Sequence, residues 1–134
     1  MMEMDELRDL LNKDDRFCRF NGMRLDVLRT GYAEAVMEIT ENSLNGVGIA
    51  QGGAIFTLAD LAFAGAANSY GFRTVGMNST ISFLRPGLGK SLRAKATEVS
   101  RGRRTCVYDV DVFNEDGKLV AHGTSTGFIT EEKF

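Results

Sequence analysis

One carboxylate stands out in an otherwise apolar stretch of the sequence. Asp60 is the only charged side chain within residues 42–72, and it follows the pair Gly52-Gly53 by eight residues. A carboxylate that is buried without a partner costs several kcal/mol, so such a residue indicates a role other than stability. Two other interpretations stay open, because Asp60 could face solvent or be satisfied by a neighbouring hydroxyl such as Thr57.

The glycine pair lies where a helix is predicted to begin. A helix N-terminus presents unpaired N–H groups with a partial positive charge, which stabilises an oxyanion developing on a carbonyl group. Glycine also lets a substrate come close to the backbone. A pair such as Gly52-Gly53 can equally form a tight turn that binds nothing, but its combination with Asp60 favours a functional site.

The spacing of these residues constrains how they can act together. On one helix, Gly52 and Asp60 are separated by about 12 Å along the axis. If both residues acted on one carbonyl group, attack and polarisation would have to occur within about 3 Å of the same carbon atom. Two antiparallel helices side by side satisfy this requirement, since each supplies Gly52 to one site and Asp60 to the other. The spacing therefore predicts a homodimer with two shared active sites.

Composition excludes several classes of function. A length of 134 residues predicts a single domain, 1–134, in which residues 1–19 form an N-terminal helix and a connecting segment. The net charge of -2 argues against a nucleic-acid partner. We expect a cytoplasmic protein with no membrane partner, because no apolar run is long enough to span a bilayer and no signal peptide is evident. Cys18 and Cys106 lack the spacing of metal ligands, so no metal site is expected.

Hydrophobic periodicity predicts an α+β architecture with an antiparallel sheet wrapped around one long helix. The helix is predicted over 52–70 and ends at Gly71, and it is apolar on nearly every side, as in a helix surrounded by protein. The edge strands of such a sheet would offer a dimerisation surface. The remaining elements are a short helix over 3–12, a polar turn over 12–19, and strands over 23–29, 32–40, 74–84, 91–101, 103–113 and 118–130.

The run from Asn45 to Asp60, N-G-x-G-x-x-Q-G-G-x-x-x-x-L-A-D, resembles the active-site segment of hotdog-fold acyl-CoA thioesterases of the phenylacetate-degradation type. The resemblance covers roughly residues 20–130 and implies the hotdog fold, an acyl-CoA substrate and a dimer with shared sites, expected to pair into a dimer of dimers, a homotetramer. No cofactor is implied beyond coenzyme A, which is part of the substrate. Further matching segments are Ala67-Asn68-Ser69, Phe83-Leu84-Arg85-Pro86-Gly87 and Val107-Tyr108-Asp109.

The resemblance also implies roles for individual residues. Asp60 would act as the general base toward water or as the nucleophile, and the N–H of Gly52 would polarise the thioester carbonyl. Asn45 would position the water or the carboxylate, and Gly53 would line the substrate site. Gln51 stands where the family commonly has histidine; glutamine donates a hydrogen bond but exchanges no proton near neutral pH.

Basic residues are candidates for binding coenzyme A. Arg101, Arg103 and Arg104 form a tight cluster at a turn between strands. The cluster is either a solvated hairpin tip or a seat for the coenzyme A phosphates, which match the geometry of arginine side chains. Arg85 is a second candidate.

Several other side chains have weaker claims. Ser79, Thr80 and Ser82 could hold water but are also ordinary strand residues, and His122 and Cys106 are interpreted as strand and core residues. The candidates for the acyl pocket are Ile55, Phe56, Leu58 and Phe63, although most of them must belong to the core.

Two alternative functions remain at this point. A hotdog hydratase or dehydratase would pair a histidine with an acidic residue, and no histidine lies near Asp60 in the sequence. A non-catalytic acyl-CoA-binding protein would not need Asp60, although Gln51 leaves this alternative open.

Overall fold

The computed structural model describes residues 2–134, which form α-helices, one short 3-10 helix and a six-stranded sheet. The helices are α1 (Met4–Asp14), α2 (Arg16–Phe20) and α3 (Gly52–Asn68), and the 3-10 helix covers Glu41–Ser43. The strands are β1 (Met23–Arg29), β2 (Tyr32–Glu38), β3 (Phe72–Phe83), β4 (Ser91–Arg101), β5 (Thr105–Asn114) and β6 (Leu119–Lys133).

All neighbouring strands pair antiparallel, in the order β1-β2-β4-β5-β6-β3, and α3 packs across one face of the sheet. The helix approaches closely because the contact positions are small. A Cβ on Gly65 would lie 2.6 Å from Leu25 Cδ2 and 3.1 Å from Ala33 Cβ. This architecture is the α+β hotdog fold predicted from the sequence, with a sheet curled around one long helix.

The predicted elements agree closely with the structure, with two corrections. The sequence analysis missed α2, which lies in the segment 12–19 assigned to a turn; a five-residue helix is too short to show a helical period. Asp15 caps this helix, since its side chain accepts a hydrogen bond from the Cys18 N–H at 3.0 Å. The turn between β4 and β5 is also longer than the single Gly102 predicted, because β5 begins at Thr105.

The burial of α3 is uneven along its length. Ten of its seventeen residues are buried, and all but one of the others lie within residues 52–60. Phe56 is 38% exposed despite its large apolar ring. The prediction that protein surrounds the whole helix is therefore wrong for the single chain, which leaves the first half of α3 partly uncovered.

The two edges of the sheet are treated differently. Edge strand β1 is covered by α1, where the Asn12 side chain donates to the Leu25 carbonyl at 3.0 Å and accepts from the Leu25 N–H at 2.7 Å. Edge strand β3 pairs only with β6 and exposes Val75 and Met77. A long edge strand with unpaired backbone groups and exposed apolar side chains is a surface suited to pairing with another strand.

Within residues 2–134, no helix is both long enough and apolar enough to cross a membrane.

Gly123 of β6 offers a test of how closely β3 packs against β6. A Cβ at this position would overlap the backbone carbonyl oxygen of Thr80, which cannot move without disturbing the pairing of β3 with β6. We expect Gly123→Ala to lower the free energy of unfolding by about 1–3 kcal/mol in urea titrations. Gly102→Ala is the matched control, since its Cβ would have only a normal contact at 3.7 Å. Equal stability of the two variants would contradict this packing.

Candidate active site

The N-terminus of α3 carries a backbone donor without an acceptor. Gln51 caps the helix: its side-chain oxygen accepts the Gly53 N–H, and its carbonyl accepts the N–H groups of Ala54 and Ile55 at 2.9 and 3.1 Å. The remaining amide of this turn, the Gly52 N–H, has no acceptor among residues 2–134. It is therefore free to donate a hydrogen bond to a ligand.

The space around the glycine pair is limited by two side chains. A Cβ on Gly52 would lie 3.4 Å from the ring of Phe83, which is an ordinary contact. A Cβ on Gly53 would lie 2.8 Å from the Gln51 side-chain oxygen, so a larger residue here would disturb the cap. Gly53 thus has a local structural function, and its predicted contact with substrate stays a prediction.

Asn45 organises the loop that leads into α3. Its side-chain oxygen accepts hydrogen bonds from the N–H groups of Val47 and Ile49 at 3.0 and 3.2 Å. The end of the loop is held by hydrogen bonds from Ala50 N–H to the Gly87 carbonyl and from Gln51 N–H to the Ser43 carbonyl. Because the Asn45 oxygen is occupied, the group that remains for a ligand is its side-chain NH₂.

Asp60 lies about two turns after Gly52 and points toward β3. Its Oδ1 is 4.0 Å from the position that a Cβ on Gly76 would take, so the missing side chain leaves room for the carboxylate. Thr57 does not satisfy Asp60, because its hydroxyl donates to the Gly53 carbonyl at 2.8 Å. No basic side chain in the described part of the chain forms an ion pair with Asp60.

The surroundings of Asp60 raise its pKa. The main cause is the loss of hydration among the atoms of α3 and β3, and the negative charge of Asp15 at the start of α2 adds to it. The residue is nevertheless exposed in the single chain. Its carboxylate is therefore partly desolvated and has no ion-pair partner among the described residues, an environment that suits a general base.

A narrow slot beside Asp60 is lined by a hydrogen-bonded pair of serine hydroxyls. Ser79 and Ser125 are joined by a hydrogen bond at 2.8 Å and line the slot together with Phe56 and Asp60. Its volume is about 10 Å³, close to the lower limit for one water molecule. Among the hydroxyl candidates, Ser79 and Thr80 line this slot, whereas Ser82 does not.

The arginines do not form one group. Arg101 packs over the Tyr70 ring, 3.7 Å from its centre, and its guanidinium donates to the Ala67 carbonyl at the end of α3. Arg103 and Arg104 are exposed nearby and, with Arg101, line a pocket of about 400 Å³.

Arg85 lies at the other end of the sheet. It lies two residues after the end of β3, on the side of the α3 N-terminus, and its backbone N–H donates to the Val120 carbonyl. The two ends of β3 are about 35 Å apart. A single chain therefore cannot bring Arg85 and the cluster of Arg101, Arg103 and Arg104 to the same phosphate.

Most of the weaker candidates are core residues. Of the residues suggested for the acyl pocket, Ile55, Leu58 and Phe63 are buried in the core, and only Phe56 lies beside Asp60. Cys106 is buried, and burial raises the pKa of its thiol, as expected of a core residue.

His122 is an exposed strand residue whose neighbours in β6, Ala121 and Gly123, are buried, so its ring lies on the outer face of the sheet, away from α3. It pairs with Asp111 at 2.6 Å, and this hydrogen bond raises the pKa of the ring.

The sequence analysis missed a pocket of about 800 Å³ between α2 and the start of α3. Phe17 and Phe20 of α2 form one wall, and Gln51 and Gly53 of α3 lie on the opposite side. The only sequence signal was the presence of two phenylalanines in a segment that otherwise looks like a polar turn.

Comparison with known proteins identifies the family of the chain. Residues 47–121 match the thioesterase superfamily domain. The acyl-coenzyme A thioesterase PaaI of Escherichia coli is 39% identical over 110 residues, covering 81% of this chain and 79% of the relative. A putative esterase of Archaeoglobus fulgidus is 33% identical over 132 residues, covering 98% of this chain and 86% of the relative.

Solved structures show the same likeness. The Escherichia coli PaaI structure superposes with a TM-score of 0.92 at 32% identity, over 97% of this chain and 95% of that chain. A Streptococcus mutans protein, whose structure was solved with acetyl-CoA bound, superposes with a TM-score of 0.80 at 35% identity, over 86% of this chain and 94% of that chain.

The raised pKa of Asp60 predicts a pH-dependent effect of this residue on stability. Because the folded state holds the proton of Asp60 more tightly than the unfolded chain, ionisation of Asp60 above its folded pKa destabilises the fold. We expect Asp60→Asn to raise the urea midpoint at pH 7. The difference should shrink as the pH falls and vanish below the ordinary aspartate pKa of 3.8, where Asp60 is protonated in both states. A lower midpoint for the variant at pH 7 would contradict this account.

Proposed function

The chain belongs to the thioesterase superfamily, and on that premise we propose that it hydrolyses an acyl-CoA thioester to a carboxylic acid and free coenzyme A in sites shared by two subunits. The observation that carries the proposal is the free Gly52 N–H at the start of α3, with a desolvated carboxylate about two turns further along the same helix. One group stabilises a developing oxyanion, and the other activates a nucleophile.

Gly52 supplies the electrostatic part of the reaction. The thioester oxygen accepts the Gly52 N–H, and this hydrogen bond strengthens as negative charge develops on the oxygen in the tetrahedral intermediate. The dipole of α3 adds to the effect at the same place. Loss of one such donor typically costs about 10²–10³ in rate.

Asp60 supplies the nucleophilic part. As a general base, it takes a proton from a water molecule whose oxygen attacks the carbonyl carbon. When the intermediate collapses, the carbon–sulfur bond breaks, and the coenzyme A thiolate leaves and receives that proton from Asp60. Direct attack by Asp60 would instead form an anhydride that water then hydrolyses. The Asn45 NH₂ group is suited to holding the water or the carboxylate in either route.

Gln51 fits this mechanism as a cap. Its side-chain oxygen fixes the first turn of α3 by accepting the Gly53 N–H, so it leaves the neighbouring Gly52 N–H pointing out of the helix. This role needs no proton transfer. A glutamine in the position that is commonly histidine in the family is therefore compatible with hydrolysis.

Two subunits are needed to complete each site. Gly52 and Asp60 of one α3 are about 12 Å apart, too far to act on one carbonyl carbon. Both lie on the part of α3 that the single chain leaves partly uncovered, next to the unpaired edge of β3. We propose that two copies pair through β3 and place their α3 helices side by side and antiparallel. The pairing of two dimers into a homotetramer rests on the resemblance alone.

The same dimer geometry suggests where coenzyme A binds. If Gly52 lies beside the partner's Asp60, the C-terminal end of the partner helix extends about 12 Å beyond Gly52. That end carries Arg101, Arg103 and Arg104 in each chain. The pantetheine arm of coenzyme A is about as long as four to five extended peptide residues, roughly 15 Å. The cluster would therefore bind phosphates of the substrate held by the other subunit, while Arg85 stays near the thioester end.

Two rival functions are less compatible with the site. A hydratase that pairs a histidine with Asp60 is disfavoured, because His122 lies on the outer face of the sheet and is engaged with Asp111. A module that only binds acyl-CoA would gain stability by replacing the desolvated Asp60 with a neutral residue. Retention of this carboxylate supports catalysis.

The first test measures the contributions of Gly52 and Asp60 to turnover separately. Gly52→Pro removes the N–H at the first position of α3, where proline is tolerated, and the preceding Gln51 already has extended backbone angles, φ -65° and ψ 136°. We expect a 10²–10³-fold loss of kcat against a panel of aryl- and fatty-acyl-CoA thioesters. Gly52→Ala keeps the N–H and is the matched control. Asp60→Asn should abolish turnover of every substrate.

Mixing the two inactive variants tests the shared site. Unfolded and refolded together, Gly52→Pro and Asp60→Asn subunits form mixed dimers in which one site carries both changes and the other carries none. We expect recovery of about a quarter of the wild-type activity, from a statistical mixture with one intact site per mixed dimer. Absence of recovery, with mixed dimers present by mass spectrometry, would exclude sites shared in this way.

The arginine cluster has its own test. The double change Arg103→Ala and Arg104→Ala should raise KM for acyl-CoA about tenfold with little change in kcat, because charge-assisted hydrogen bonds to phosphate are lost. KM for an acyl-pantetheine, which lacks the phosphates, should not change. Arg8→Ala with Arg24→Ala is the charge-matched control on α1 and β1. An unchanged KM for acyl-CoA would remove the cluster from the site.

A further inference from the structure

The pocket between α2 and α3 has the size and position of a binding site. Its volume of about 800 Å³ lies within the range of about 300–1,000 Å³ that is typical of small-molecule sites. It reaches the first turn of α3, where Gln51 and Gly53 line it. Gly52 lies between these two residues in the chain, so the pocket borders the helical turn that carries the free N–H proposed to bind the thioester carbonyl.

The wall formed by α2 is aromatic and exposed. Phe17 is 63% exposed and Phe20 is 90% exposed, and Cys18 is the only buried residue of this helix. Two exposed phenyl rings on a five-residue helix add little to the core, since their apolar area stays in water. The buried side chains of Met23 and Met37 form the floor of the pocket. Contact with an apolar ligand would remove this apolar area from water and so favour binding.

Most polar groups of the wall formed by α3 are already hydrogen-bonded. The Gln51 side-chain oxygen accepts the Gly53 N–H, and the Thr57 hydroxyl donates to the Gly53 carbonyl. An apolar group can therefore lie against Gly53 and Ala54 without leaving their hydrogen-bonding groups unpaired, while the Gln51 NH₂ group stays available to solvent or to a polar atom of the ligand.

The mouth of the pocket carries a negative charge. Glu38, at the end of β2, lines the pocket and is exposed. A carboxylate in this position disfavours a ligand group of the same sign. Charge and apolarity thus select for the same kind of ligand, an uncharged apolar one.

We propose that this pocket binds the acyl group of the substrate, and that Phe17 and Phe20 make the enzyme selective for bulky uncharged acyl groups, aryl or medium-chain, over acetyl and dicarboxylic ones. The assignment rests on the proposed thioester hydrolysis. It makes α2, rather than the buried apolar residues of α3, the element that determines acyl specificity.

The test compares substrates that differ only in the acyl group. For Phe20→Ala and Phe17→Ala, kcat/KM should fall about tenfold or more for phenylacetyl-CoA and octanoyl-CoA, because a lost apolar contact in a binding pocket typically reduces kcat/KM 10–200-fold. The loss for acetyl-CoA should be much smaller. Phe113→Ala is the matched control: it removes a phenyl ring that packs under Lys95, away from the pocket. Urea midpoints check that each variant is folded.

A second variant tests the charge at the mouth. Glu38→Gln should raise kcat/KM for succinyl-CoA several-fold relative to that for the uncharged substrates, since one repulsive carboxylate is removed. A uniform loss for all acyl groups in the phenylalanine variants, or no loss for any, would overturn the pocket assignment while leaving thioester hydrolysis intact.

Binding of a thioether distinguishes this proposal from the proposed function. S-phenacyl-coenzyme A cannot be hydrolysed, so its Kd by calorimetry reports on the pocket alone, with S-methyl-coenzyme A as the reference. We expect Phe20→Ala to weaken binding of the phenacyl compound about tenfold and of the methyl compound little. If this pattern holds while the wild type hydrolyses no thioester, the pocket assignment stands and the proposed function fails. Equal weakening of both compounds would overturn the pocket assignment.

Discussion

The distance between a backbone donor and a carboxylate on one helix is the constraint on which the proposed site depends. The helical rise fixes the Gly52 N–H and the Asp60 carboxylate about 12 Å apart, and no side-chain motion removes this separation. A thioester that uses both groups must therefore receive them from two helices. In this account, dimerisation is a consequence of the catalytic geometry rather than an addition to a finished enzyme.

That constraint gives a reason for features that are unfavourable in a single chain. β3 leaves a row of backbone groups unpaired at the sheet edge, and Phe56 and Met77 expose apolar surface next to it. The opposite edge shows that the chain is able to protect a strand, since Asn12 hydrogen-bonds the Leu25 backbone in both directions. The contrast between the two edges supports the proposed pairing of two copies through β3.

The N-terminal helices connect to the site in two ways. Asp15 caps α2, and its charge contributes to the raised pKa of Asp60. The same short helix carries Phe17 and Phe20 at the wall of the pocket beside α3. The segment that contains α2 thus affects the pKa of the proposed base. It also carries the residues that we propose select the acyl group.

Local sequence determined the elements and the nature of the chemistry. Alternation of apolar and polar residues predicted each strand to within a few residues, and the apolar run after Gly52-Gly53 predicted α3, because these periods arise from backbone geometry within one element. The chemical types of Gly52, Asn45 and Asp60 were likewise readable from spacing and resemblance. The five-residue α2 was missed, because so short a helix gives no period to detect.

Tertiary structure decided what depends on residues distant in the chain. It placed Gly76 beside Asp60, separated Arg85 from the other arginines by the length of β3, and put His122 on the outer face of the sheet. It also brought α2 and α3 together around a pocket that could not be predicted from either segment alone. Burial, charge proximity and cavity shape are sums over neighbours from different elements, so the sequence sets which groups are present, and the fold sets which of them meet.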